Sequence, residues 1–422
     1  MQPARRASGP EKENTAVARE ELQRFIGDFD PLDPELGSRL WEVLAEMREH
    51  CPVAHSDRHG GFWVLTRYAD VYRALQDWRT FSSASGVVIP QHGTDHLLPP
   101  LETDPPEQRE WRKIYNPHFS PGRVARYGEG IRAIATEYLD RFTGRGHCDL
   151  VAEFAVPFPA HAFLELVLGV PPEEIPSVQP LCVVISSSGE GPELESAFDS
   201  LAAWVSEFLD RRQQSPRPDD VVSALLDARI GGHPISHKQL VRAVMLLILG
   251  GLDTTTYAIG NIGRHLAEQP ELADWLRHHP ESIEAAVEEF LRFEAPSAYL
   301  ARSTTRDVVV DGQLIPKGDT VALYWISANR DPARFDDPDH IDFDRQGNRH
   351  LSFGLGMHFC TGANLARLEL KIVLEELLLR LPGMRLADGA EISYKCVHTT
   401  RGPLSLPVVF EPSPAVTSRT RP

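Results

Sequence analysis

The stretch "FGLGMHFCTG", residues 353–362, sets one thiol, Cys360, among Gly354, Gly356 and Gly362, just ahead of a long helical pattern. Glycines permit turns and close approaches that a Cβ would block. A thiol just before a helix start meets unpaired N–H groups and the positive end of the helix dipole, and both favour the thiolate. Three chemistries compete for such a residue: a packed core thiol, half of a metal clip, or a single thiolate ligand against which a flat group can lie. The other cysteines, Cys51, Cys148, Cys182 and Cys396, are scattered and form no C-x-x-C pair. That argues against a zinc clip or a disulfide framework and fits reduced cytosolic thiols.

Three further stretches carry unusual residue types. "LLILGGLDTTT" sets Gly250-Gly251 inside a helical pattern, followed by Asp253-Thr254. Each such glycine costs about 1 kcal/mol relative to alanine, so something must justify the pair. "EEFLR" supplies Glu289 and Arg292 at a spacing of three, on one side of a helix. "DPPEQREWR" carries Gln108, which can donate a hydrogen bond, and Arg112, which can pair with a carboxylate. Taken singly, these read as an ordinary mid-helix polar cluster, a surface ion pair and a helix start.

Together, and in their order along the chain, they resemble the cytochrome P450 family. Phe353-Gly354-x-Gly356-x-His358-x-Cys360-x-Gly362 matches its haem-binding signature. The resemblance implies haem b, with Cys360 as proximal ligand to iron through a thiolate that favours O–O cleavage. Glu289 and Arg292 would join Arg345, in "FDDPDHIDFDR", in the family's buried Glu-Arg-Arg network beneath the haem loop. Gly250 would leave room for dioxygen, and Asp253-Thr254 would be the acid–alcohol pair that relays protons to it. Gln108, Arg112, Arg302 and His358 would meet haem propionates, and Phe353, Gly362 and Gly250 would also bind the cofactor. "DPPEQR" and "GGLDT" are most like the bacterial camphor-hydroxylase branch, although Leu300 stands where that branch has Asp.

The resemblance implies a haem-thiolate monooxygenase that inserts one atom of dioxygen into an apolar small molecule. Electrons would come from an external ferredoxin fed by an NAD(P)H-dependent reductase. A peroxide-driven or coupling enzyme on the same fold is the alternative. A haem gas sensor would share Cys360 but would not need Asp253-Thr254. The substrate pocket would be lined by the 83–100 loop, the region around 180–200, Leu246, Leu249, Gly250, Ala298, Tyr299 and the turn at His398.

The elements must bring these stretches together. Apolar spacing predicts helices over 36–50, 121–143, 149–168, 192–214, 219–228, 236–267, 271–278 and 280–293, and from Asn364 to Leu381. "GFWVLTRY" reads as a strand, and two apolar runs flank a turn at Asp311-Gly312. The fold class is mainly α with a minor β part, and the family implies a helix-rich prism with haem between a long central helix and the Cys loop. Residues 29–411 read as one domain, with loose tails over 1–28 and 412–422. A net charge of −17 argues against coating nucleic acid or anionic membrane. The apolar runs look too short to span a bilayer. The charged N-terminus has no signal-peptide core, so the expected location is cytoplasmic.

Overall fold

The helix His237–Glu268 organises the molecule in a computed structural model that describes residues 22–91, 97–187, 191–216, 219–397 and 399–415. It begins at a capping box, in which Ser236 accepts from the Gln239 amide and the Gln239 side chain accepts from the Ser236 amide. Its 32 residues run roughly 48 Å. By length and composition this helix could cross a membrane, contrary to the reading of short apolar runs. Here it is the core helix, buried on most sides from Leu240 to Ala267.

A second long helix, Ala363–Arg380, follows the Cys360 loop and packs against the central helix and against Ile283–Phe293. Beside this helical core lies a five-stranded sheet in the order Val53–Ser56, Phe62–Leu65, Thr320–Leu323, Leu300–Thr304, Phe81–Ser82. Thr320–Leu323 runs parallel to Phe62–Leu65 and antiparallel to Leu300–Thr304, with Val321 opposite Arg302. Arg302 is thereby fixed by a register involving segments more than 200 residues apart. The hairpin at Asp311-Gly312 forms as expected, with positive φ at both turn residues (45° and 79°) and Val310 paired with Gln313.

Several expectations need correction. The predicted helix 149–168 is three pieces: wide π-turns at Val151–Ala155 and Phe163–Val167 flank Pro157–Ala162. Pro157 and Pro159 have no N–H to give to the preceding turn. The Val156 N–H instead bonds five residues back, to Val151. The stretch 121–143 is also split, at Pro121–Val124, Ala125–Tyr127 and Gly128–Asp140. Ile175–Ser187 is a helix that periodicity did not show, because Pro176 and Pro180 break its pattern. Residues 22–27 are helical, and Phe25, Ile26 and Phe29 are buried against the sheet. At the other end the Ser413 N–H reaches Thr143 O, and its hydroxyl reaches Arg380 O. Phe25, Ile26 and Ser413 thus find packing or hydrogen-bond partners within stretches that composition read as tails.

Candidate active site

A cavity of about 1070 Å³ opens between the central helix, the Cys360 loop, the start of Ala363–Arg380 and the sheet. Cys360, Asp253, Thr254, Gly250, Arg112, Arg302 and His358, which lie up to 248 positions apart in the sequence, all line it.

The Cys loop is held by its own backbone. The Cys360 N–H donates to Phe353 O at 2.8 Å, and the Gly354 N–H to Leu351 O at 2.8 Å. Gly354 and Gly356 have φ of 66° and 69°. A Cβ on Gly356 would lie 2.9 Å from the Leu75 carbonyl oxygen, so this glycine is needed for shape and for space. Gly362, with ordinary φ, caps the following helix. Burial pushes the Cys360 thiol up, opposed by the amides of Gly362 and Ala363 and by the charges of Arg112 and Arg367. Cys148 and Cys182 are packed core thiols, with Cys182 pushed up to about 12 by burial. Neither lines the cavity.

One end of the cavity collects cationic and donor groups. Arg302 is buried, donates to Ala301 O at 2.7 Å, and is pushed down to about 10 by desolvation despite Asp104. Arg112 donates to Thr361 Oγ1. Burial, and then the charges of Arg302 and Arg112, push His358 down to about 3, and its Nε2 is buried without a hydrogen-bond partner among the described residues. No carboxylate within the described residues forms an ion pair with either arginine. Two guanidiniums and an orphaned ring nitrogen fit a bound group that brings its own carboxylates. Gln108 is also buried here, but its Nε2 donates to Met357 O at 2.7 Å and so braces the Cys loop.

The central helix meets the cavity at its glycine pair, and the two glycines differ. A Cβ on Gly250 would meet nothing within 4 Å, whereas one on Gly251 would lie 2.9 Å from the Phe163 ring. Gly250 leaves open space, and Gly251 lets Phe163 pack. Thr254 Oγ1 donates to Gly250 O at 2.9 Å.

Beneath the Cys loop, Arg292 grips Glu289 through two bonds of 2.7 and 2.8 Å, and Arg345 Nε sits 3.1 Å from both carboxylate oxygens. The remaining Arg292 donors go to the carbonyls of Asn329, Pro338 and His340. With every charge paired and bonded, burial of this trio is sustained.

On the pocket side, Leu246, Leu249 and Gly250 line the cavity. Ala298 and Tyr299 do not. Neighbours in extended backbone face opposite sides, so Leu300 and Arg302 take the cavity while Tyr299 and Ala301 turn into the sheet core. Tyr299 stacks on Tyr324 with centroids 4.6 Å apart. Ser297 and Pro296 provide the wall instead. His398 lies outside the described residues; its neighbours Thr399 and Thr400 line the cavity. Just past the 83–100 loop, the Glu102 carboxylate accepts from the amides of Val87 and Leu98, tying two limbs of that loop that carry wall residues.

Sequence reading missed Glu369. It is buried on Ala363–Arg380, lines the cavity, and accepts from Thr255 Oγ1 at 3.4 Å. Desolvation pushes it up to about 8. Its spacing with Leu365 and Ile372, on the apolar stripe of that helix, was the available signal.

Comparison with known proteins agrees with this geometry. The family model for cytochrome P450 matches residues 187–382. The mycinamicin IV hydroxylase/epoxidase of Micromonospora griseorubida is 36% identical over 390 residues, covering 90% of this chain and 98% of that protein. The steroid C26-monooxygenase of Mycolicibacterium smegmatis is 32% identical over 382 residues, covering 89% and 94%. The crystal structure of cytochrome P450 CYP101C1 superposes with a TM-score of 0.83 at 30% identity, covering 91% of this chain and 97% of that one. A lone thiol on a glycine-built loop, a cation-lined end that calls for carboxylates and a glycine-opened helix thus occur in a chain alike nearly end to end with these enzymes, and the chain belongs to the cytochrome P450 family of haem-thiolate monooxygenases.

Proposed function

We propose that this protein hydroxylates or epoxidises an apolar small molecule, with Cys360 holding the iron of haem b and with a ferredoxin and NAD(P)H-dependent reductase as the electron source. The observation that carries this reading is the meeting of Cys360, Asp253 and Thr254 on one cavity. Haem held by a thiolate supplies the chemistry that cleaves dioxygen. Arg112, Arg302 and His358 would bind its propionates, which answers the unpaired cations and the orphaned Nε2. Gly250 would leave the space for dioxygen. Asp253 and Thr254 would bring protons to the reacting oxygen, and Glu369, neutral at pH 7, would offer a further O–H on the same wall. Leu246, Leu249 and Leu300 would hold the apolar substrate.

Arg109, Lys113 and Arg349 are exposed, in segments adjoining the Cys loop, and would steer an acidic ferredoxin toward it. A cytoplasmic location accords with the core role of the one helix among the described residues with membrane-like composition.

The test is spectroscopic. The reduced protein with carbon monoxide should show the red-shifted Soret band of thiolate ligation. Cys360→Ser should lose it, while Cys51→Ser, Cys148→Ser, Cys182→Ser and Cys396→Ser keep it. Loss of the band in a folded variant at another cysteine would overturn the assignment. Turnover with ferredoxin and NAD(P)H should exceed turnover with peroxide alone; the reverse would favour a peroxide-driven enzyme.

A further inference from the structure

Glu288 stands beside the Glu289 network yet joins a different one. Arg367, on the helix that follows Cys360, clasps Glu288 with both ends of its fork, Nε to Oε1 at 2.7 Å and one Nη to Oε2 at 2.9 Å. The same guanidinium lies over the Phe353 ring, 4.5 Å from its centroid. His350 closes the circuit. Its Nδ1 accepts the Ser352 N–H at 3.2 Å, so the ring proton sits on Nε2, which donates to Glu288 Oε2 at 3.2 Å. Phe353 in turn accepts the Cys360 N–H. A cation is thus pinned beside the loop that carries the thiol, by a carboxylate that is itself pinned by a histidine.

We propose that Glu288 positions Arg367 so that its fixed charge, held against Phe353, raises the readiness of haem at Cys360 to accept an electron. This inference rests on the reading of Cys360 as the haem ligand. A half-buried cation favours whichever state of a nearby centre carries one more electron, and its partial burial weakens the screening of that effect. Both ends of the Arg367 fork engage Glu288, whereas Arg109 and Lys113 are exposed. The place of Arg367 beside the Cys loop is thereby fixed.

The two partners carry opposite charge, and that makes the test sharp. The reduction midpoint of the haem-loaded protein is measured by spectroelectrochemistry for the parent, Arg367→Met and Glu288→Gln. At the parent midpoint, Arg367→Met should lower the reduced-to-oxidised ratio by about threefold or more, because a cation is lost. Glu288→Gln keeps the shape and one acceptor for Arg367 but removes the opposing charge, so it should raise that ratio. Arg367→Lys should recover part of the loss. Shifts of the same sign in Arg367→Met and Glu288→Gln would show mere loosening of the loop and overturn the proposal, as would midpoints that do not move. The carbon monoxide Soret band of each variant is recorded alongside. A thiolate band with an unmoved midpoint defeats this inference alone, whereas a parent without that band defeats the reading of Cys360 beneath it.

Discussion

Thr254 donates its hydroxyl proton to the carbonyl of Gly250, at 2.9 Å, one turn back on the central helix. The hydroxyl proton is thereby committed, and what Oγ1 presents to the cavity is a lone pair. In the proposed reading Thr254 would accept a hydrogen bond from a water and so aim that water's other proton at the reacting oxygen, while Asp253 next to it would link that site to a proton source.

The first prediction concerns this pair. Thr254→Ala should sustain NAD(P)H consumption but divert it to hydrogen peroxide, with product per NAD(P)H falling by about tenfold or more. Thr254→Ser should retain most of the coupling. Asp253→Asn should slow the whole cycle. Product, peroxide and NAD(P)H are measured together with any substrate that shifts the Soret band. Tight coupling in Thr254→Ala would remove Thr254 from the relay.

The two adjacent glycines should behave differently. Gly251→Ala places a Cβ 2.9 Å from the Phe163 ring and should destabilise the fold by about 1–3 kcal/mol. Gly250→Ala meets open space, so it should leave thermal stability unchanged or raise it by up to about 1 kcal/mol, while altering ligand binding in the cavity. Equal melting temperatures for the two variants would contradict the assignment of their roles.

Glu369 gives a pH signature. Its carboxyl is held up to about 8 in the folded protein, against an ordinary value of 4.5, because desolvation penalises the anion. The folded state therefore binds this proton more tightly than the unfolded state. The associated stability is fully present below the unfolded value of about 4.5 and is lost as pH rises toward about 8. Glu369→Gln cannot ionise, so its urea midpoint relative to the parent should improve from pH 5 to pH 8. A constant difference across that range would show that Glu369 is ionised in the folded state.

Electron delivery should depend on charge at the surface near the Cys loop. Arg109→Glu and Lys113→Glu should each raise the apparent Kd for an acidic ferredoxin several-fold, with a penalty that shrinks at high salt. Arg367→Glu would be a poor probe, because it would set a second carboxylate against Glu288. No salt dependence of the reduction rate would count against docking at this face.

Residue types and short-range spacing were enough to mark the Cys360 loop, the glycine pair and Asp253-Thr254, since each is a local pattern with a local physical cost or constraint. The Glu289–Arg292 spacing was equally legible, and Arg345, 53 residues further on, completes the cluster in space. Helices ran where apolar period 3.6 was unbroken. They were misread where prolines intervened, at 149–168 and 175–187, because a wide turn can carry a helix past a missing N–H.

What the sequence determined by itself was the identity of the groups able to do chemistry; what the tertiary structure decided was which way each one faces. Tyr299 and Leu300 are neighbours, yet strand pairing turns one into the core and the other onto the cavity. Arg367 and Arg109 read alike as basic residues, yet only Arg367 is clasped by Glu288. Glu369 looks like any glutamate on a helix until Thr255, 114 residues away, arrives beside it and water is excluded. Burial and partnership are properties of distant segments meeting, so no local pattern can encode them.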